Sequence, residues 1–381
     1  MKPIKLFALV LVSVIFGANL TYAQNTIFSQ IITTDGLSRD YSIYIPASYD
    51  STISYPLIFN FHGYNSNYLE QEVYGDFRPI ADTAGFLIVH PNGSTDNFGN
   101  SSWNTFDNGT VNDVAFISEL LDTLIATYNI DTNSVYSTGM SNGGFMSYEL
   151  ACQLSQRIAA IASVTGSMLP SHIAACNCQH PMPVMQIHGT ADGTVPYNGN
   201  LLFEPIESLV NYWVQFNNCD TLPIYNQVPN TVLTDLCTAE HYVYMNGNNG
   251  TEVEFYKIID GGHSWPGAPV NINVTNMDFS ASTEIWRFFR KYHLNNVVTE
   301  AKAKGKSLKF SVYPNPSNGA VNMLFDDNNL KSVVIKDALG RVIHAIELYS
   351  NQYQYQLPNI GLYFITVISN TETITTKVIN R

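Results

Sequence analysis

Five residues of the chain, Gly139-Met140-Ser141-Asn142-Gly143, place a serine between two glycines, each two positions away. The run lies between a strand-like stretch, Ser134-Val135-Tyr136-Ser137-Thr138, and a helix-like one beginning at Phe145. A serine held on a sharp strand-to-helix turn brings the neighbouring backbone so close that side chains two residues away would collide with it. Glycine at both flanks removes the collision, so the spelling predicts Ser141 as the nucleophile of an acyl transfer. A hydroxyl is a poor nucleophile at neutral pH and needs a base, itself oriented by an acid. In this kind of elbow they follow in the order acid, then histidine. The apolar run Pro183-Val184-Met185-Gln186-Ile187 leads into His188-Gly189-Thr190-Ala191-Asp192, which puts Asp192 just past a strand end. The strand-like Glu252 to Ile259 leads into Asp260-Gly261-Gly262-His263, whose glycines would let His263 swing over the site. Asp192 is the expected acid and His263 the expected base. The competing reading of Asp192 is a turn former ahead of Gly193. His188 ends a buried-looking strand and reads as structural, and His90, His241, His293 and His344 have no catalytic spelling around them.

The oxyanion of acyl transfer needs backbone donors from the residue after the nucleophile and from the loop after an early strand. The first is the amide of Asn142. For the second, Tyr55 to Phe61 reads as a strand ending in His62-Gly63-Tyr64-Asn65, where the Tyr64 amide is the better candidate and Gly63 the reserve.

These runs, with Trp103-Asn104, Asn112-Asp113-Val114-Ala115-Phe116-Ile117, His188-Gly189-Thr190-Ala191-Asp192 and Gly261-Gly262-His263-Ser264-Trp265-Pro266-Gly267, resemble the polyhydroxybutyrate depolymerase and feruloyl esterase group of α/β-hydrolases over roughly residues 28 to 293. The resemblance implies Ser141, Asp192 and His263 as a triad, the same three residues reached above. It also implies that Trp103 lies near the mouth of the site and that Trp265, close after the histidine, could shape the acyl pocket. For both, plain packing is the alternative.

Residues 1–23 carry Lys2 and Lys5, an apolar stretch from Leu6 to Phe16 and Thr21-Tyr22-Ala23, the pattern of a secretory leader. That stretch is too short to span a bilayer and no other segment is apolar for long enough, so a soluble exported protein without a transmembrane segment is expected. Without the leader, the 381-residue chain still has material for a large core and an appendage. A net charge of −13 argues against nucleic acid as a partner, because phosphate binding needs basic patches. Residues 24–294 are expected to form the catalytic domain, 295–307 a linker poor in apolar residues, and 308–381 a small all-β sandwich of short alternating strands. The tail, through Tyr313-Pro314-Asn315-Pro316, Asp337-Ala338-Leu339-Gly340-Arg341, Gly361-Leu362-Tyr363 and Lys377-Val378-Ile379, resembles the type A sorting domain of the bacterial type IX secretion system. The resemblance implies passage through the outer membrane, with the secretion machinery as partner, then surface attachment or release. A polymer-binding module is the rival for the tail. Four glycosylation-type sequons at Asn100, Asn108, Asn249 and Asn273 read as surface loops.

Export puts the five cysteines where disulfides persist. Cys219 and Cys237 flank a polar loop and are the expected pair; Cys152, Cys176 and Cys178 leave one thiol over. His172, Cys176, Cys178 and His180 suggest a metal only superficially, because the cysteine spacing is not a usual zinc spacing. The reading is therefore an α/β-hydrolase, mostly parallel sheet with helices on both faces, carrying a serine esterase site at the strands' carboxyl ends and using no cofactor. A feruloyl or acyl ester of polysaccharide is the expected substrate. A polyhydroxyalkanoate is the alternative, and a non-catalytic surface binding protein or a peptidase a more distant one.

Overall fold

The computed structural model describes residues 26–381 except 34, 108, 271–272, 295–309, 326–330, 339 and 370–372. The expected leader 1–23, the linker 295–307 and the sequon at Asn108 lie outside the described residues. The chain divides into two units, Met1–Asn296 and Val297–Arg381.

The first unit runs β1 (Thr26–Ile32), β2 (Ser38–Tyr44), β3 (Tyr55–Phe61), α1 (Tyr68–Tyr74), α2 (Arg78–Ala84), β4 (Leu87–Pro91) and a short hairpin, β5 (Ser94–Thr95) with β6 (Ser101–Ser102). It continues through α3 (Asp113–Thr127), β7 (Ile130–Met140), α4 (Asn142–Gln153), β8 (Ala160–Val164), α5 (Pro170–Ala175), β9 (Val184–Gly189), α6 (Ile206–Phe216), β10 (Ile224–Gln227), β11 (Thr238–Tyr244), β12 (Val253–Ile259) and α7 (Ala281–Phe289). Ten of the strands form one sheet in the order β1-β2-β4-β3-β7-β8-β9-β12-β11-β10. The six from β4 to β12 are mutually parallel, and two antiparallel strands close each edge. Strands covered on both faces must be apolar throughout rather than alternating; Leu57, Ile58 and Phe59 on β3 are all fully buried.

Helices cover both faces. Leu120 and Leu124 of α3, Met146 and Leu150 of α4 and Leu209 and Trp213 of α6 share a core on one side; Ala81 of α2 and Ile285, Phe288 and Phe289 of α7 share the core on the other. The α7 stripe, extended by Tyr292, has the three- and four-residue spacing of a helix docked on a sheet. The Ser280 hydroxyl caps α7 by accepting from the Thr283 amide. The four central strands that matter for chemistry end level with one another. Met140 pairs with Val164, Val164 with Ile187, and Ile187 with Tyr256, so the segments leaving β7, β8, β9 and β12 emerge at one edge. Among the described residues no helix is long and apolar enough to cross a membrane.

The second unit is entirely antiparallel β: a three-stranded sheet, β13 (Phe310–Tyr313), β14 (Ala320–Phe325) and β17 (Gln352–Gln356), and a four-stranded one, β16 (Val342–Leu348), β15 (Lys331–Asp337), β18 (Gly361–Ser369) and β19 (Thr373–Asn380). Val321 and Met323 from the first sheet and Val333, Ile335, Ile365 and Val378 from the second form one core.

Candidate active site

Ser141 occupies the single position between the end of β7 and the start of α4, with φ 55° and ψ −121°. An L-residue with a side chain enters that region only at a cost of about 1–3 kcal/mol, which the surroundings must hold in place. Here the Ser141 amide donates to the Val164 carbonyl at 2.8 Å, and the Ser141 carbonyl accepts from Gly144 at 2.8 Å and Phe145 at 3.0 Å. The flanking glycines are sterically required. A Cβ at Gly139 would stand 2.6 Å from the Phe61 carbonyl oxygen, and one at Gly143 would stand 2.1 Å from it.

Asp192 lies three residues beyond β9 and His263 four beyond β12. The His263 Nδ1 and Asp192 Oδ2 are 2.7 Å apart, and Asp192 Oδ1 accepts the amides of Thr194 at 2.8 Å and Val195 at 2.9 Å. Burial alone would raise the Asp192 carboxyl, but hydrogen bonds from His188 and His263 outweigh it and hold the group well below the usual carboxylate range. His188 is therefore more than a packed strand-end residue. Its Nε2 lies 2.9 Å from the Val195 carbonyl and 3.3 Å from Asp192 Oδ2, both acceptors, so it carries the proton, while Nδ1 accepts from the Gln186 amide nitrogen at 3.0 Å. The glycines near His263 serve close approach rather than swing. A Cβ at Gly189 would lie 2.2 Å from the Gly261 carbonyl oxygen, the Ala191 amide donates to that carbonyl, and Gly262 is tied to Val274. No hydrogen bond joins Ser141 Oγ to His263 among the described residues. Both side chains lie at the same edge of the sheet.

Opposite the serine, the turn after β3 comes close. A Cβ at Gly63 would lie 3.4 Å from the Ser141 Cβ and 4.0 Å from its Oγ. The Tyr64 amide has no partner among the described residues. Asn142, as the first residue of α4, has no carbonyl one turn back inside the helix to bond. His62 organises this strand end. Gly93 N–H donates to its Nε2 at 2.9 Å, so Nε2 is the bare nitrogen and Nδ1 carries the proton, which it gives to the Gly63 carbonyl at 2.7 Å. Burial, opposed only weakly by that carbonyl, pushes the imidazole down to about 4 and keeps it neutral. A His-Gly pair after an apolar strand is the only signal the sequence offers for this role.

Three expectations are corrected. Trp103 is 0 % exposed and Trp265 2 %, so neither lines an open acyl pocket. Trp103 instead braces the site: its indole donates to the His62 carbonyl at 3.0 Å, and its backbone is clamped by the Asn142 side chain, which accepts from Trp103 N and donates to Trp103 O and Thr105 Oγ1. Trp265 packs edge-on against Phe77 and donates to Ser282. Cys219 and Cys237 are not bonded to each other. The sheet lies between them, Cys219 in the core beneath α6 and Cys237 in the core beneath α7. The disulfide joins Cys152, at the end of α4, to Cys176, which caps α5. Chain spacing could not reveal which cysteines share a face.

Among the described residues no group of three or more histidines, cysteines and carboxylates is arranged to hold a metal. Cys176 is spent in the disulfide, Cys178 donates to the His180 carbonyl, and His172 lies between Glu149 and Asp107. Burial opposes protonation of His172, but the neighbouring carboxylates of Glu149 and Asp107 outweigh it and raise its pKa above the ordinary histidine value.

Residues 95–243 match the phospholipase/carboxylesterase family, and residues 311–381 match the secretion system C-terminal sorting domain. The chain is 29% identical over 290 residues to the bifunctional acetylxylan esterase/xylanase of Neocallimastix patriciarum, covering 74% of this chain and 37% of that protein. It is 32% identical over 180 residues to feruloyl esterase D of Neurospora crassa, covering 44% and 58% respectively. It is 29% identical to feruloyl esterase C of Emericella nidulans over 66% of this chain and 83% of that one. The chain thus spans little more than a third to under two thirds of the length of the first two. The first unit has an α/β-hydrolase fold, and the C-terminal region matches a secretion sorting domain.

Proposed function

We propose that the protein is a serine carboxylic-ester hydrolase acting outside the cell on feruloyl or acetyl esters carried by a polysaccharide. The observation that carries the reading is Ser141 on its left-handed elbow at the edge where Asp192 and His263 are paired. Ser141 attacks the ester carbonyl while His263 Nε2 takes the hydroxyl proton. This requires the serine and histidine to close to hydrogen-bond distance, a contact that often tightens only when substrate binds. Asp192 holds Nδ1–H and stabilises the imidazolium. The Asn142 and Tyr64 amides receive the oxyanion, each worth on the order of 3–4 kcal/mol in the transition state. The carbon–oxygen bond to the alcohol breaks, His263 returns the proton to the departing sugar hydroxyl, and an acyl-Ser141 ester remains. Water, deprotonated by His263, then releases the acid and restores the serine.

The substrate class is supported by relatives named as acetylxylan and feruloyl esterases and by a sorting domain that would bring the enzyme to external polymer. The test is purified protein against methyl ferulate, acetylated xylan and short hydroxybutyrate oligomers. Hydrolysis of either of the first two at least a hundredfold faster than the third supports the reading. Preference for the hydroxybutyrate oligomers would reassign the enzyme to polyesters, and no turnover of any ester would leave a binding protein.

A further inference from the structure

On the α6 face of the sheet, beyond the helix, β10, β11 and β12 carry two adjacent cross-strand rows that run from the exposed β10 inwards to the buried Phe255 of β12. The pairings Tyr225 with Tyr242 and Tyr242 with Phe255 align three aromatic rings, and the pairings Gln227 with Glu240 and Glu240 with Lys257 align three polar groups beside them. Residues two apart on a strand share a face, so both rows look the same way. The ring centroids step 5.3 Å from Tyr225 to Tyr242 and 6.1 Å from Tyr242 to Phe255. Tyr225 is 49 % exposed and Tyr242 half-buried, whereas Phe255 is 3 % exposed and forms the floor; a groove of about 250 Å³ lined by Glu207, Tyr242, Tyr244, Phe255 and Lys257 opens beside α6, and Tyr225 and Gln227 flank it on the neighbouring strand.

We propose that this groove is a second, non-catalytic glycan-binding site that holds the neutral polysaccharide whose esters the enzyme cleaves; it rests on the function proposed above. The apolar C–H face of a pyranose packs on an aromatic ring, while its hydroxyls need donors and acceptors around the edge, and the two rows supply both at adjacent positions. The groups are already paired internally: Tyr242 donates to Glu240, Tyr225 to Gln227, and Lys257 to Glu207. The surface therefore offers no uncompensated cation for a polyanion. An apolar helix face would have to desolvate Glu207, Glu240 and Lys257, which interface cores avoid. A polyhydroxylated chain replaces their water with its own hydroxyls at little cost. The groove also lies on the strand that feeds the catalytic loop. About 13 Å of β12 separates Phe255 from Ile259, where the loop to His263 begins.

The test uses the full chain carrying Ser141→Ala, which cannot consume its ligand, in affinity electrophoresis through gels containing arabinoxylan. Retardation is expected, and Tyr225→Ala or Gln227→Ala added to that chain should raise the dissociation constant at least tenfold at an unaltered unfolding midpoint. Both positions lie on the exposed edge strand, so two independent variants protect against a folding artefact. In the unsubstituted enzyme, unesterified xylohexaose should bind without competing against methyl ferulate. Absence of retardation, retardation indifferent to both substitutions, or loss of a dimer as the main effect of Tyr225→Ala would overturn the proposal. Retardation that depends on Tyr225, in a protein that fails to hydrolyse feruloyl and acetyl esters, would sink the enzymatic reading and leave the groove standing.

Discussion

His62 Nδ1 donates to the carbonyl of Gly63 at 2.7 Å, and that carbonyl belongs to the same planar peptide as the Tyr64 amide. The buried imidazole therefore sets the direction of the Tyr64 amide, the proposed second oxyanion donor. Replacing His62 with Ala should lower kcat on methyl ferulate by about 10- to 100-fold, with KM changed less than threefold, since a misdirected donor is felt chiefly in the transition state. Steady-state kinetics on the folded variant decides. A rise in KM at constant kcat would mean that His62 only shapes ground-state binding.

Burial pushes His62 down to about 4 and His90 down to about 3. Both stay neutral in the folded chain at a pH where the unfolded chain, with ordinary histidines near 6.5, takes up protons. The stability they allow is complete above about pH 6.5 and is lost as pH falls towards the folded values, the slope approaching roughly 1.4 kcal/mol per pH unit for each. Denaturant melts from pH 7 to 4.5 should show this decline, and His90→Gln should remove about one proton from it. Equal slopes in the two proteins would contradict the burial argument.

Gly189 and Gly261 touch where the loops bearing Asp192 and His263 cross, with only 2.2 Å between a Cβ at Gly189 and the Gly261 oxygen. Gly189→Ala must push those loops apart by more than an ångström. A loss of roughly a hundredfold in kcat is expected before any loss of the far-UV signal of the sheet. Activity within a factor of three of the parent would show that the Asp192–His263 pairing tolerates displacement.

Peptide mapping without reduction should recover Cys152 linked to Cys176, with Cys178, Cys219 and Cys237 alkylated after denaturation. Closing a loop with a sequence separation of 24 residues is worth about 3.5 kcal/mol in the chain-entropy model, so Cys152→Ser/Cys176→Ser should unfold at clearly lower denaturant. A Cys219–Cys237 peptide would contradict the structure.

What could be read from the chain was whatever local sterics or periodicity dictates. The glycines around Ser141 are legible because the backbone crossing leaves no room for a Cβ, and the α7 stripe because helix period alone aligns Ile285, Phe288 and Phe289. In the tail, the β-branched runs of β15, β18 and β19 are plain, whereas β17, spelled Gln352 to Gln356 around two tyrosines, and the short β13 are strands only through their partners in the sheet. The same limit hid the cysteine pairing, the burial of Trp103 and the work of His62. Each depends on which distant segments the sheet order brings together, Gly93 beside His62 and Cys176 beside Cys152.

The central claim is that Ser141 carries the acyl group. The most direct measurement is kcat/KM for methyl ferulate in the wild-type protein and in Ser141→Ala, with unfolding followed in parallel. The account predicts a fall of about four orders of magnitude or more with an unfolding midpoint that is unchanged or raised, since the substitution removes a hydroxyl from a strained turn without emptying the core. Residual activity above a few per cent of wild type, in a protein shown to be folded, would contradict it.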